Sequence, residues 1–178
     1  MFHLTIALAL HLGAEMPATA PACAGGYPAD RAALVDLAEI EEEAGVPESR
    51  RGILAAVWCV EWRWRPAGKP GPRGDRGRAV GPMQLHAENA MRCGADHRLF
   101  NTPDDPRLDL AFSGRCWLQR VGELMRKRAL ERCPGSAWDV AEAMVSSPFY
   151  RWRCSARTSH VELLERWQAQ EAERVALP

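Results

Sequence analysis

The chain has 178 residues, enough for one domain with a substantial core, and its 23 Lys and Arg balance 23 Asp and Glu. That balance excludes the broad basic character with which a protein holds nucleic acid as its main partner. Seven Trp stand against two Tyr and four Phe; indoles in this number fill a helical core, and some line sugar sites.

The first stretch reads as an export signal. Phe2 to Leu12 is apolar apart from His3, Thr5 and His11, and it is too short to span a bilayer. The small residues Ala18-Thr19-Ala20 follow as a cleavage pattern. Residues 1–20 are therefore expected to be a signal peptide cleaved near Ala20, leaving 21–178 as a single exported domain, periplasmic or extracellular. Two features run against type: no Lys or Arg precedes the apolar run, and Ala20-Pro21-Ala22-Cys23 distantly suggests a lipoprotein signal. The latter lacks an aliphatic residue three before Cys23, so lipidation there is the lesser alternative. No later segment reaches membrane-spanning length.

Cys23, Cys59, Cys93, Cys116, Cys133 and Cys154 form an even set, which in an exported chain points to disulfides. Six cysteines allow fifteen pairings, and the sequence does not choose among them. There is no C-x-x-C, and Cys93-x-x-x-His97 stands alone, so no metal site is expected.

In chain order, Asp30 caps a predicted helix with Ala33, Leu34, Leu37 and Ile40 on its apolar side and Gly45 at its end. The acidic run Glu39, Glu41, Glu42, Glu43 reads as a solvated face. Val46-Pro47-Glu48 opens the next helix, ILAAVWCVEW, in which Leu54, Val57, Trp58 and Glu61 share one face. Residues 65–82 form a Gly/Pro loop with five basic residues and Asp75 as its one acid. Its glycines at every third position, from Gly68 to Gly77, are too few for a collagen helix, and Arg73-Gly74-Asp75 is a tripeptide common by chance.

A short helix is expected over Ala87 to Cys93, closed by Gly94. Asp104-Asp105-Pro106 opens a long one carrying Leu110, Gly114, Trp117, Val121, Leu124 and Met125 on one face, until Cys133-Pro134-Gly135 breaks it. Ser136-x-x-Asp139 and Ser159-x-x-Glu162 fit capping boxes for two more. Their stripes are Ala141, Met144 and Val145, then Leu163, Leu164 and Trp167, with an aromatic loop, Phe149-Tyr150-Arg151-Trp152, between them. No strand of useful length and no repeat is visible, so the expected class is all-α.

Glu61 is the residue with chemistry. A carboxylate continuing an apolar stripe is costly to ionise, so its pKa is expected to rise until it holds a proton near neutral pH, as a general acid does. The competing reading pairs it with Arg63 or Arg65 at a frayed helix end.

After Glu61 come Trp64 and Pro66, a flexible loop, and then Gly81-Pro82-Met83-Gln84, with Gln84 23 positions beyond Glu61. In these residues the chain resembles the soluble lytic transglycosylases, with their goose-lysozyme-like catalytic domain. In that family a helix-borne Glu is followed by a small polar residue, then an aromatic and Pro, and G-x-M-Q lies a similar distance on. Asp105-Pro106-Arg107-Leu108-Asp109-Leu110 is similar to a family segment leading into a long helix, and the third motif would fall on Ala143-Met144-Val145-Ser146-Ser147. The resemblance covers about Val46 to Trp167. It departs at Trp62, in place of the small polar residue, and at Val145, in place of the third motif's aromatic, leaving Tyr150 as a substitute phenol.

The resemblance implies a lysozyme-like helical fold and cleavage of the bond between N-acetylmuramic acid and N-acetylglucosamine in peptidoglycan, forming 1,6-anhydro ends. Glu61 would be the single catalytic group, Gln84 would orient substrate, Met83 would pack the cleft floor, and Trp64 and Tyr150 would contact substrate. No cofactor, nucleic acid or membrane span is expected, and the chain is expected to act as a monomer. Two alternatives stand beside this: a hydrolytic goose-type lysozyme using Asp75 to position water, and a disulfide-stapled glycan-binding module without catalysis. The export reading makes the first prediction: mature protein begins near Pro21, which N-terminal sequencing of secreted material checks, and an intact Met1 there would rule the signal out.

Overall fold

The computed structural model describes residues 23, 26–27, 30–66, 71, 73–127, 133, 137–146, 154–155 and 157–176. Among these it is an all-α protein with one two-stranded hairpin and three disulfides. The helices are α1 (Arg31–Glu43), α2 (Ile53–Trp62), α3 (Ala87–Arg92), α4 (Leu110–Met125), α5 (Ala137–Ser146) and α6 (Ser159–Ala176). The expected signal segment, and Tyr150 in the aromatic loop, lie outside the described residues.

Helix α2 runs through the middle. Ile53, Leu54, Ala56 and Val57 are fully buried, and Trp58, Cys59 and Trp62 nearly so. Around it pack α1 and α6, while α4 crosses α1 and packs on α5. Gly114 lets α4 approach: a Cβ there would meet Leu54 Cδ1 at 3.3 Å and Leu37 Cδ2 at 3.4 Å. Burying a large aliphatic side chain of this kind is worth about 1.5–3 kcal/mol, so the core sequence of α2 dominates the packing.

The start of α2 corrects the reading of the acidic run. Glu39, Glu42 and Glu43 are exposed, but Glu41 is 1 % exposed and accepts hydrogen bonds from the backbone N–H groups of Gly52 (2.5 Å) and Leu54 (2.7 Å). It continues the stripe Leu34–Leu37 at i+4 and caps α2 from another helix, satisfying donors that the first turn leaves open. Burial is the main influence on this carboxyl and outweighs the two hydrogen bonds and Arg51, raising its pKa to about 7.

Other boundaries also shift. Residues Glu48–Arg50 form a 3-10 turn, so α2 begins only at Ile53, after Gly52. Pro106–Leu108 is likewise a 3-10 turn, and α4 is capped by Asp109, whose Oδ1 accepts from Phe112 N at 2.6 Å. At α6 the cap is Thr158 rather than Ser159: its Oγ1 accepts from Val161 N at 3.3 Å. The hairpin, unforeseen as strands, joins β1 (Ala79–Val80) and β2 (Leu85–His86) antiparallel, Val80 opposite Leu85, across a turn formed by Gly81-Pro82-Met83-Gln84. Pairs this short carry no periodic signal.

The disulfides are Cys23–Cys59, Cys93–Cys116 and Cys133–Cys154. The first ties the chain start to α2, and the second ties the end of α3 to α4. Such cross-links typically add 2–4 kcal/mol and belong to an oxidising environment. Among the described residues no helix is long and apolar enough to cross a membrane.

The hairpin turn sits on the segment before α4. Gly81 has φ +85°, and a Cβ there would lie 1.7 Å from the Arg107 carbonyl oxygen. Arg107 is itself fixed by a buried two-point pair with Asp105 (Nε–Oδ1 3.0 Å, Nη2–Oδ2 2.7 Å) and lies over the Phe100 ring. Gly81→Ala therefore combines a left-handed backbone with an overlap against backbone. It is expected to lower stability by about 3 kcal/mol, at the upper end of ordinary substitutions, as a fall in the urea midpoint.

Candidate active site

Helix α2 exposes little, but near its C-terminal end Glu61 emerges with 30 % of its side chain accessible. The chain then turns sharply through Arg63 (φ +53°) and Trp64 (φ +50°), both left-handed. The turn folds Trp64 back under the helix, where its indole N–H donates to Ala55 O at 3.1 Å and its ring packs on Trp58 and Trp167.

Opposite Glu61 stands His160, the second residue of α6. Its Nε2 lies 2.9 Å from Glu61 Oε1, and its Nδ1 lies 2.9 Å from Oε1 of Glu142 on α5. His160 is 3 % exposed and Glu142 fully buried. The Glu142 carboxylate also accepts from Ser146 Oγ (2.8 Å) and from Thr158 Oγ1 (2.7 Å), so three donors converge on it. Burial pushes the imidazole pKa down, but the hydrogen bonds and charges of Glu142 and Glu61 outweigh it and raise the value to about 9. At neutral pH both ring nitrogens therefore carry protons and donate, Nδ1 to Glu142 and Nε2 to Glu61. Among the described residues, Glu61 Oε2 has no hydrogen-bond partner.

This corrects the expected setting of Glu61. The sequence puts the carboxylate on an apolar stripe; the structure puts the His160 imidazole against one of its oxygens and, among the described residues, no hydrogen-bond partner against the other. Neither Arg63 nor Arg65 takes the pairing role.

The anchor is itself braced. Arg50 makes a two-point bond to Asp139 on α5 (Nε–Oδ1 2.6 Å, Nη2–Oδ2 2.7 Å) and approaches Glu165 on α6 at 3.8 Å. The turn before α2 is thus tied to the two helices that carry Glu142 and His160.

The other residues singled out from the sequence fall elsewhere. Trp64 is 1 % exposed and Met83 3 %, both in the core, so a substrate contact does not fit Trp64. Trp62 is buried too, with its ring packed against Gly71. Gln84 uses its amide on the loop: Oε1 accepts from Gly74 N at 2.7 Å and Nε2 donates to Gly81 O at 3.0 Å. It shapes the hairpin turn. Asp75 is held by Arg78 at 2.8 Å and lies 3.4 Å from His86 Nε2.

Glu142, Ser146 and His160 were missed, though a signal existed. His160 leads the Leu164–Trp167 stripe at i, i+4 and i+7, as Glu61 ends its own, and Ser146 is i+4 from Glu142. The region expected to hold a third motif contributes a carboxylate and a hydroxyl in place of an aromatic.

A cavity of about 610 Å³ opens on an adjoining side of α2, lined among others by Trp58, Trp62, Pro82, Leu108 and Arg73, but not by Glu61. Its size suits a ligand; of its titratable wall residues Asp30 and Asp109 cap α1 and α4, and the hydrogen-bonded line from Glu142 through His160 makes Glu61 the better candidate for chemistry. Among the described residues no group of three His, Cys, Asp or Glu side chains is arranged to hold a metal ion. Comparison with known protein families, with curated proteins and with solved structures finds no match.

Two groups make stability depend on pH in the same direction. Glu41, raised from 4.5 to about 7, contributes stability that is complete below 4.5 and lost as pH rises through 7. His160, raised from 6.5 to about 9, contributes stability complete below 6.5 and lost as pH rises through 9. Each is worth roughly 3 kcal/mol. Urea unfolding across this range is expected to show both declines, and Glu41→Gln to remove only the lower one; a midpoint flat from pH 5 to 9 would contradict both assignments.

Proposed function

We propose that the protein is a lytic transglycosylase of lysozyme-like helical fold, exported by its N-terminal signal and acting as a monomer on peptidoglycan strands, with Glu61 as both acid and base. The observation that carries this reading is the condition of Glu61: a carboxylate at the end of a buried helix, partly exposed, with one oxygen held by a buried imidazole and the other without a partner among the described residues. Among the other helix carboxylates of low exposure, Glu41 and Asp139 are fully engaged in holding the fold, whereas the Glu61 side chain stays partly accessible. The resemblance of Glu61 and Gly81-Pro82-Met83-Gln84 to the transglycosylase motifs supports the substrate class. The three disulfides support export.

In the reaction, protonated Glu61 gives its proton to the glycosidic oxygen as the C1–O bond breaks, releasing the N-acetylglucosamine side as an alcohol. The 2-acetamido group of the muramoyl unit stabilises the cationic C1. The Glu61 carboxylate then takes the proton of the 6-hydroxyl as O6 bonds to C1, closing the anhydro ring and restoring the acid. No water enters, and one carboxyl suffices where most glycosidases need two. Asp75, the carboxylate a hydrolytic route would require, is occupied by Arg78 and His86, which favours the single-carboxylate path.

Glu61→Gln keeps an oxygen to accept from His160 and removes the transferable proton. General acid–base help is worth ~10²–10⁴-fold, and loss of wall-digestion rate toward the upper end is expected, with the circular dichroism of the fold unchanged. Mass spectrometry of the products should find fragments lighter by one water than hydrolytic ones. Equal nonzero rates in wild type and variant would remove Glu61 from the chemistry.

A further inference from the structure

Two of the three groups in the Glu61–His160–Glu142 line have no part in the reaction as written, yet they are among the most deeply buried polar groups described. A buried carboxylate and a buried imidazole are each costly, and cores avoid them unless the pairing does something an apolar pair would not. The geometry specifies what this pairing does. Glu142 is immobilised by Ser146 and Thr158, and through Nδ1 it fixes the plane and position of the His160 ring. The ring, fixed, presents Nε2–H to one oxygen of Glu61 from a different helix.

We propose that His160, anchored by Glu142, is a positioning residue for Glu61: it holds the carboxylate by Oε1 so that Oε2 points to the scissile bond. This rests on the glycan-cleaving reading above. Holding a reacting group in place is worth a great deal, since a misplacement of about 1 Å can cost ~10²-fold in rate. Among the described residues the charged and titratable groups facing the ring are Glu61 from α2 and Glu142 from α5, with Arg50 acting on Glu142 from the turn before α2. Ser146 and Thr158 are the neutral groups of the cluster.

A structural pair holding α5, α6 and α2 together would lower the folded fraction and nothing else. A positioning residue changes kinetics in a particular way. In purified, folded His160→Gln, kcat for wall digestion is expected to fall ~10–10²-fold with KM little changed. His160→Ala, which has no donor, should lose more. Ser146→Ala is the variant least able to unfold the domain; it loosens Glu142 and should lower kcat by a smaller factor.

An activity-independent readout accompanies these. NMR titration of the His160 ring should give a midpoint near 9 in wild type, and Glu61→Gln and Glu142→Gln should each lower it. A wild type that cleaves wall, with kcat unchanged in folded His160→Gln, overturns the positioning role and leaves the proposed function standing. A ring midpoint at its ordinary value, indifferent to Glu61→Gln, overturns the contact itself. A wild type that releases no wall fragments, with the titration as expected, overturns the proposed function and supports the Glu142–His160–Glu61 contact alone.

Discussion

The burial of α2 is the constraint on which the rest depends. Of its ten residues eight are buried, and the two that are not are the neighbours Val60 and Glu61. A helix enclosed on nearly every side needs its end groups satisfied from outside itself, because water cannot reach them. Glu41 supplies this at the N-terminus from α1, and the left-handed turn at Arg63 and Trp64 closes the other end. Once both ends are fixed, so is the stretch, Val60 and Glu61, where the helix reaches the surface.

The polar groups inside follow a common scheme. Glu41, Glu142, Asp105 and Asp139 are all acids of low exposure, and each is answered by donors: backbone N–H groups, hydroxyls with an imidazole, the nearby Arg107, and Arg50 respectively. Charged pairs of this kind add little net stability over apolar ones, but they are strongly selective, since losing one partner strands the other. In this chain the contacts of these acids join α1 to α2, α5 to α6 and the turn before α2 to α5, while Asp105 and Arg107 pair within the turn before α4. The line through Glu142 and His160 differs from the others in ending at a partly exposed carboxylate.

Legibility in the sequence was uneven. The apolar stripes of α1 and α4 appear nearly as read: Leu34, Leu37 and Ile40 are buried, as are Gly114, Trp117, Val121 and Leu124, while Ala33 and Leu110 are half-buried and Met125, at the end of α4, is exposed. Asp30 caps α1 as expected. Glu41 was misread because its exposed neighbours Glu39, Glu42 and Glu43 gave the run the look of a solvated face, although its spacing from Leu34 and Leu37 placed it inward. Trp64 was read as a site aromatic because it stands three residues after Glu61, but a left-handed turn breaks the helical spacing and sends it into the core. Gln84 and Gly81 were singled out for the right loop; their work there is to hold the loop's shape against Gly74 and Arg107.

By itself the sequence determined the helical class, through stripes at a period of 3.6, the even set of cysteines, and the exceptional position of Glu61 on an apolar face. These are local properties, set by residues within a few turns of one another. Which cysteines pair, which carboxylate caps which helix, and what faces Glu61 were decided only by the tertiary structure. His160 is 99 positions from Glu61 and Glu142 is 18 from His160, and no local pattern carries information across such separations. Their meeting depends on α6 crossing α2 beside α5, a consequence of how the whole core packs.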